Sequence, residues 1–193
     1  MNLPTKLTVL RIIMIPVFAA VFFIPAIPYR FIISAVIFAL AAFTDFLDGH
    51  IARKYNMVTD LGKFLDPIAD KVLVSTALIV MLVAAGEETP VLPWYGSIAV
   101  AIILARELMI SGFRMVAASK GAVLAADLSG KIKTTVQDVA IVVLLVGKDV
   151  TPEPYGIMNI VGLVLLGLAT VLTIYSGAEC LIKNRGVLKT ERK

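Results

Sequence analysis

Apolar residues fill most of this chain in long runs, and the polar positions gather where the runs end. A helix needs about 20 residues to cross the hydrocarbon core of a bilayer. Six segments are long enough, roughly 7–27, 30–53, 62–86, 92–118, 131–149 and 155–183. The breaks between them carry turn chemistry: "PAIPYR", "YNMVTD", "GEETP", "SKGAVLAADLSG" and "KDVTPEPYG". The pattern predicts an all-α polytopic membrane protein of six transmembrane helices, forming a single domain over residues 1–193. Several segments are apolar at one end only. The second closes on "TDFLDGHIARKY", the third opens on "GKFLDPIADK", the fourth closes on "ARELMISGFR", and the fifth opens on "GKIKTTVQD".

Composition agrees with the pattern. Hydrophobic residues make up 59% of the chain, against about 45–50% in a soluble domain. A soluble domain of this size could not hide that much apolar surface. The net charge of +4 matters less than its placement. With the N-terminus on side one, six spans put Lys6, Arg11, Lys120 and the Lys and Arg of "ARKY", "GKFLDPIADK", "ARELMISGFR", "GKIK" and the C-terminal tail on that same side. Only Arg30 and Lys148 fall on the other, with Glu87, Glu88 and Glu153. The positive-inside rule makes side one cytoplasmic, so both termini and the polar helix ends are expected there. The first apolar run is long and has no small-residue cleavage site, so it reads as a span and not as a signal peptide. Basic character without a targeting peptide fits a bacterial inner (cytoplasmic) membrane. Cys180 is the single cysteine, which excludes an internal disulfide and leaves the redox compartment open. No nucleic-acid partner is expected.

The polar ends hold the chemistry. On a helix, positions three and four apart share a face. Asp45, Asp48 and Ala52 form one stripe, and Gly62, Asp66 and Asp70 another. If the second and third helices pack side by side, four carboxylates meet. They repel, and burying them is costly unless they are protonated or bind a cation. Hard oxygen ligands in this number suit Mg²⁺, Mn²⁺ or Ca²⁺. Mg²⁺ takes one or two carboxylates per ion, so four aspartates fit two ions better than one, a common arrangement for phosphoryl chemistry. Gly49, Ala52 and Gly62 remove bulk beside the acids, so a phosphate or nucleotide could approach the backbone. Arg53 offers a forked cation to a phosphate. His50, the only histidine, points away from the Asp45/Asp48 stripe and reads as interfacial.

The string Asp45-x2-Asp48-Gly49-x2-Ala52-Arg53-x8-Gly62-x3-Asp66-x3-Asp70 resembles the signature of the CDP-alcohol phosphotransferases, and the match is complete. The resemblance implies a metal-dependent, lipid-synthesising membrane enzyme with its active site at the cytoplasmic ends of helices 2 and 3. CMP would leave from a CDP-linked donor. The resemblance implies two divalent cations, Mg²⁺ or Mn²⁺, bridged by Asp45 and Asp66. Asp48 would complete one metal site and Asp70 the other, with Asp70 also serving as general base. Gly49, Ala52, Arg53, Thr59 and Gly62 would hold the donor. The sequence does not fix the oligomeric state; families of this shape are often homodimers, which makes a homodimer a candidate assembly by analogy alone.

A second polar cluster bears on the acceptor. Arg106 and Arg114 lie in "ARELMISGFR", and Lys131, Lys133, Thr134 and Gln137 in "GKIKTTVQD". Four cations with hydroxyl and amide donors predict a pocket for a second anion. Topology anchors or contacts to lipid headgroups are the plainer reading of such charges, and we adopt it for Lys120 and the C-terminal tail. For Arg106, within a helix beside Glu107, function is the default. These strings, and the opening "LPTKLTVLRIIMIPVF", are similar to those of the phosphatidylglycerophosphate synthases, departing at Thr5 where asparagine is expected. The resemblance implies transfer of the phosphatidyl group from CDP-diacylglycerol to sn-glycerol 3-phosphate, within a bilayer of membrane lipids. Two alternatives stand beside it: the same chemistry on inositol phosphate, serine or phosphatidylglycerol, and a divalent-cation transporter. A transporter would place its charges near mid-span, whereas these lie at the helix ends.

Overall fold

The computed structural model describes residues 3–54, 60–83, 91–121, 128–151 and 156–188, with the side chains at 3–4, 45–54, 60–64, 66–67 and 187–188 left out. Among the described residues six α-helices form: α1 (Leu3–Phe23), α2 (Arg30–Lys54), α3 (Asp60–Val83), α4 (Gly96–Ser119), α5 (Leu128–Val150) and α6 (Ile157–Lys183). A 3-10 turn, Arg185–Leu188, follows. Each helix matches one predicted segment, with shifted ends. α1 stops at Phe23, short of the predicted 27, because Pro25 and Pro28 cannot continue it. Tyr29 then turns the chain with φ +52°, and α2 begins at the next residue. α4 begins at Gly96 and not at 92, after a tight turn in which the Gly96 N–H donates to the Pro93 carbonyl at 2.8 Å.

The helices pack as a closed ring. α1 lies against α2, α2 against α5, α5 against α6, α6 against α4, α4 against α3, and α3 against α1. α3 also reaches α2 and α5, so it stands between the helix carrying the first aspartates and the two carrying the cations. Small residues set the closest approach. A Cβ built on Gly162 of α6 would lie 2.7 Å from Leu144 of α5, so only glycine permits that separation.

On α1 the buried positions are Thr5, Thr8, Arg11, Ile15, Phe18 and Phe22, at steps of three and four. The lower part of this stripe is aromatic. Phe18 packs on Phe38 of α2 at 6.2 Å between ring centroids, and Phe22 meets Phe31 edge-on at 5.1 Å. The upper part is polar. Arg11 is 0% exposed, and its Nε donates to the Ala41 carbonyl of α2 at 3.2 Å. Counted from sequence as a topology charge, Arg11 is in fact an inter-helix contact one turn before Asp45.

Outside the ring the surface is apolar. Leu108, Val164 and Ile174 are each more than half exposed. A contiguous apolar exterior of this kind is costly in water and favourable in lipid. Among the described residues, Thr5–Phe23, Gly96–Ser119 and Ile157–Lys183 are long and apolar enough to cross a bilayer. Arg30–Thr44 of α2 is apolar but shorter. The chain is a membrane protein.

α2 is capped from a distance. The Ile32 N–H in its first turn donates to Asp149 Oδ2 of α5 at 2.8 Å, where a carboxylate also meets the positive helix end. Asp149→Ala should lower stability by about 0.5–2 kcal/mol in thermal or detergent unfolding, with turnover per folded molecule retained. Unchanged stability would mean that water already satisfies the end of α2.

Candidate active site

α3, α4 and α5 enclose a cavity of about 210 Å³. Five cations line it, Lys71, Arg106, Arg114, Lys131 and Lys133, against two carboxylates, Asp70 and Glu107. The volume is below the roughly 300–1,000 Å³ of drug-sized ligand pockets, so it suits a small polar group. The charge balance suits an anion. Geometry explains how the cations tolerate one another. Glu107 Oε1 accepts from Arg106 Nη1 at 3.1 Å and from Lys133 Nζ at 2.5 Å. Arg106 Nη2 donates to Ser176 Oγ of α6 at 2.8 Å. Lys71 Nζ donates to Ser111 Oγ, and that hydroxyl donates to the Glu107 carbonyl at 2.5 Å. One connected network therefore joins α3, α4, α5 and α6.

Lys133 is 1% exposed, whereas Arg114 and Lys131 reach solvent at the cavity mouth. The Thr134 hydroxyl donates to the Gly130 carbonyl at 2.8 Å, which leaves its oxygen lone pairs available as acceptors. Below the cavity a crevice of about 10 Å³ continues between Asp70, Lys133 and Gln137, room for about one water. Gln137 is buried there, and neither atom of its amide has a hydrogen-bond partner among the described residues. A buried amide in that state calls for water or a ligand.

The structure thus brings Arg106, Arg114, Lys131, Lys133 and Thr134 together around one cavity with Asp70, and places Gln137 one layer deeper. Both halves of the aspartate motif are helical, and α2 packs on α3. The expectations for the side chains of Asp45, Asp48, Gly49, Ala52, Arg53, Gly62 and Asp66, and for Thr59, lie outside the described residues. Among the described residues no three metal-ligating side chains converge.

Comparison with known proteins decides the family. The CDP-alcohol phosphatidyltransferase profile matches residues 1–175. The chain belongs to the CDP-alcohol phosphatidyltransferase family. It is similar along nearly its whole length to relatives named CDP-diacylglycerol–glycerol-3-phosphate 3-phosphatidyltransferase. The Bacillus subtilis protein is 38% identical, covering 98% of each chain. The Salmonella typhimurium protein is 40% identical, covering 97% of each. The Rickettsia bellii protein is 40% identical, covering 91% of each.

Within this family frame, sequence reasoning missed four parts of the network. Lys71 sits beside Asp70 and was counted only as a topology charge. Glu107 is the single acid of α4, between two arginines, a signal that was present but not used. Ser176 and Gly177 are one of several small or polar pairings along α6, so nothing linear sets them apart from Gly162, Thr170 or Thr173.

The network makes a stability prediction. Lys133→Met should cost about 1–3 kcal/mol, because Glu107 loses a buried charged partner. Lys131→Met, at an exposed position, should stay within about 0.5 kcal/mol. Parallel unfolding of the two variants in detergent measures the contrast, and equal losses would contradict the burial of Lys133.

Proposed function

We propose that this protein transfers the phosphatidyl group of CDP-diacylglycerol to sn-glycerol 3-phosphate, releasing phosphatidylglycerophosphate and CMP. The observation that carries this reading is the placement of Asp70 on the wall of a cavity lined by five cations. A neutral alcohol would gain nothing from those cations. An acceptor whose far end is a phosphate dianion would, and its hydroxyl would then face a carboxylate. The relatives' shared name supports the same acceptor.

In this mechanism the acceptor phosphate lies among Arg106, Arg114, Lys131 and Lys133, with Thr134 and Gln137 available to its oxygens and hydroxyls. Asp70 takes the proton from the primary hydroxyl. That oxygen forms a bond to the diacylglycerol-linked phosphorus, the bond from that phosphorus to the CMP oxygen breaks, and CMP leaves. Arg53 neutralises donor phosphate charge, while Gly49, Ala52, Thr59 and Gly62 leave room for the nucleotide. The donor set fits divalent metal by its chemistry: four carboxylates, Asp45, Asp48, Asp66 and Asp70, on two helices that pack together. Two Mg²⁺ or Mn²⁺ ions held there would supply charge neutralisation at the diphosphate and the leaving group. The acyl chains stay in the bilayer, against the apolar exterior.

The same reading sets α2, α3 and α5 across the membrane with the other three helices. Their polar ends would gather on the cytoplasmic face of a bacterial inner membrane, following the asymmetry of Lys and Arg.

CMP release from CDP-diacylglycerol, assayed against several acceptors with added divalent metal, tests the proposal. Glycerol 3-phosphate should be the preferred acceptor. Asp70→Asn should lower turnover by about 10²- to 10⁴-fold. Arg106→Gln should raise the KM for glycerol 3-phosphate about 10- to 100-fold and leave that for CDP-diacylglycerol unchanged. Preference for a neutral acceptor would refute the assignment.

A further inference from the structure

We infer that Glu107 is a positioning residue of the acceptor site: its carboxylate aims Arg106 and Lys133 into the cavity, and Ser176 and Gly177 of α6 hold Arg106 from behind. The inference rests on the acceptor reading above and adds to it the groups that set the cations' geometry.

Three observations carry it. First, a single oxygen, Glu107 Oε1, receives donors from two different helices, Arg106 Nη1 of α4 and Lys133 Nζ of α5. A flexible lysine and a long arginine are thereby fixed relative to each other, and both line the cavity. Second, the opposite edge of the guanidinium is held by Ser176, through Nη2 at 2.8 Å. Third, the Arg106 stem lies against bare backbone: a Cβ on Gly177 would come within 3.1 Å of Arg106 Cγ and 3.3 Å of Nε. Arg106 is therefore clamped between a carboxylate on its own helix and a hydroxyl and glycine on another. A cation needed only for topology or charge balance requires no such clamp. A cation that must meet a phosphate in one orientation does, because holding geometry in advance removes the ordering cost from binding.

A carboxylate in an anion site could have the opposite effect. As a plain counter-charge it would compete with the incoming phosphate, and removing it would tighten binding. As a positioning group its removal loosens binding. The two roles differ in sign, so one kinetic constant separates them.

The experiment uses the full-length protein in lipid-detergent micelles with divalent metal, following CMP release while glycerol 3-phosphate is varied. Glu107→Gln keeps the size and one acceptor oxygen but loses the charge. It should raise the KM for glycerol 3-phosphate about 10- to 100-fold, with the KM for CDP-diacylglycerol and the metal requirement unchanged. Ser176→Ala, which leaves every charge in place, should raise the same KM about 2- to 10-fold. Gly177→Ala should act in the same direction by displacing Arg106. In a Lys133→Gln background, Glu107→Gln should add less than it does alone, because the two act as a unit. A lower or unchanged KM in Glu107→Gln overturns the inference. If that variant does not fold, Ser176→Ala and Gly177→Ala decide, and wild-type KM values in both overturn it. Wild-type protein that releases CMP with other acceptors but not with glycerol 3-phosphate overturns the acceptor reading, and this inference falls with it. Wild-type activity on glycerol 3-phosphate with insensitive variants overturns the inference alone.

Discussion

A charge taken into an apolar helix bundle must find a partner there, and that constraint organises this molecule. Lys133 is almost fully enclosed and Arg106 largely so. Left alone, either would cost several kcal/mol of lost hydration. Glu107 answers both with one oxygen, and Ser176 and Ser111 extend the pairing to α6 and α3. The result ties four helices together around the cavity that Asp70 lines. The charges therefore specify how the helices meet as well as shaping the cavity between them.

The rest of the fold serves that arrangement. Glycine at 162 lets α6 close on α5, and glycine at 177 lets it close on Arg106. The α1–α2 pair is built separately, from a phenylalanine ladder below and Arg11 above. Arg11 grips the Ala41 carbonyl four residues before Asp45, so α1 steadies the stretch of α2 that leads into the acidic motif. α3 closes the ring, contacting α1 and α2 on one side and α4 and α5 on the other. It carries Asp70 and Lys71 to the cavity. In the proposed function, donor chemistry on α2 and acceptor chemistry on α4 and α5 then meet across a single helix.

The helices were legible because lipid imposes a simple requirement: long apolar segments with turn residues between them. Their ends were less legible, since α1 yields to Pro25 and Pro28 although the run stays apolar through Ile27. The gathering of the cations of α4 and α5 at one cavity was also legible, because arginine inside an apolar helix has few bland explanations. What the sequence hid is pairing. Arg11 and Lys71 look like topology charges when only their side of the membrane is counted, yet both make contacts between helices. Glu107 reads as the neighbour of Arg106, and nothing linear says that it also meets a lysine 26 positions away. Ser176 and Gly177 carry almost no linear signal, because their importance comes from Arg106 arriving on another helix.

The central claim is that an anionic acceptor sits among these cations with its hydroxyl toward Asp70. The most direct measurement is an experimental structure of the protein with glycerol 3-phosphate and a non-reactive CDP-diacylglycerol analogue. The account predicts the acceptor phosphate within hydrogen-bonding reach of Arg106 and Lys133, about 2.7–3.2 Å, and the primary hydroxyl at Asp70. Acceptor phosphate bound outside this cavity, with Arg106 and Lys133 contacting only protein or lipid headgroups, would contradict it.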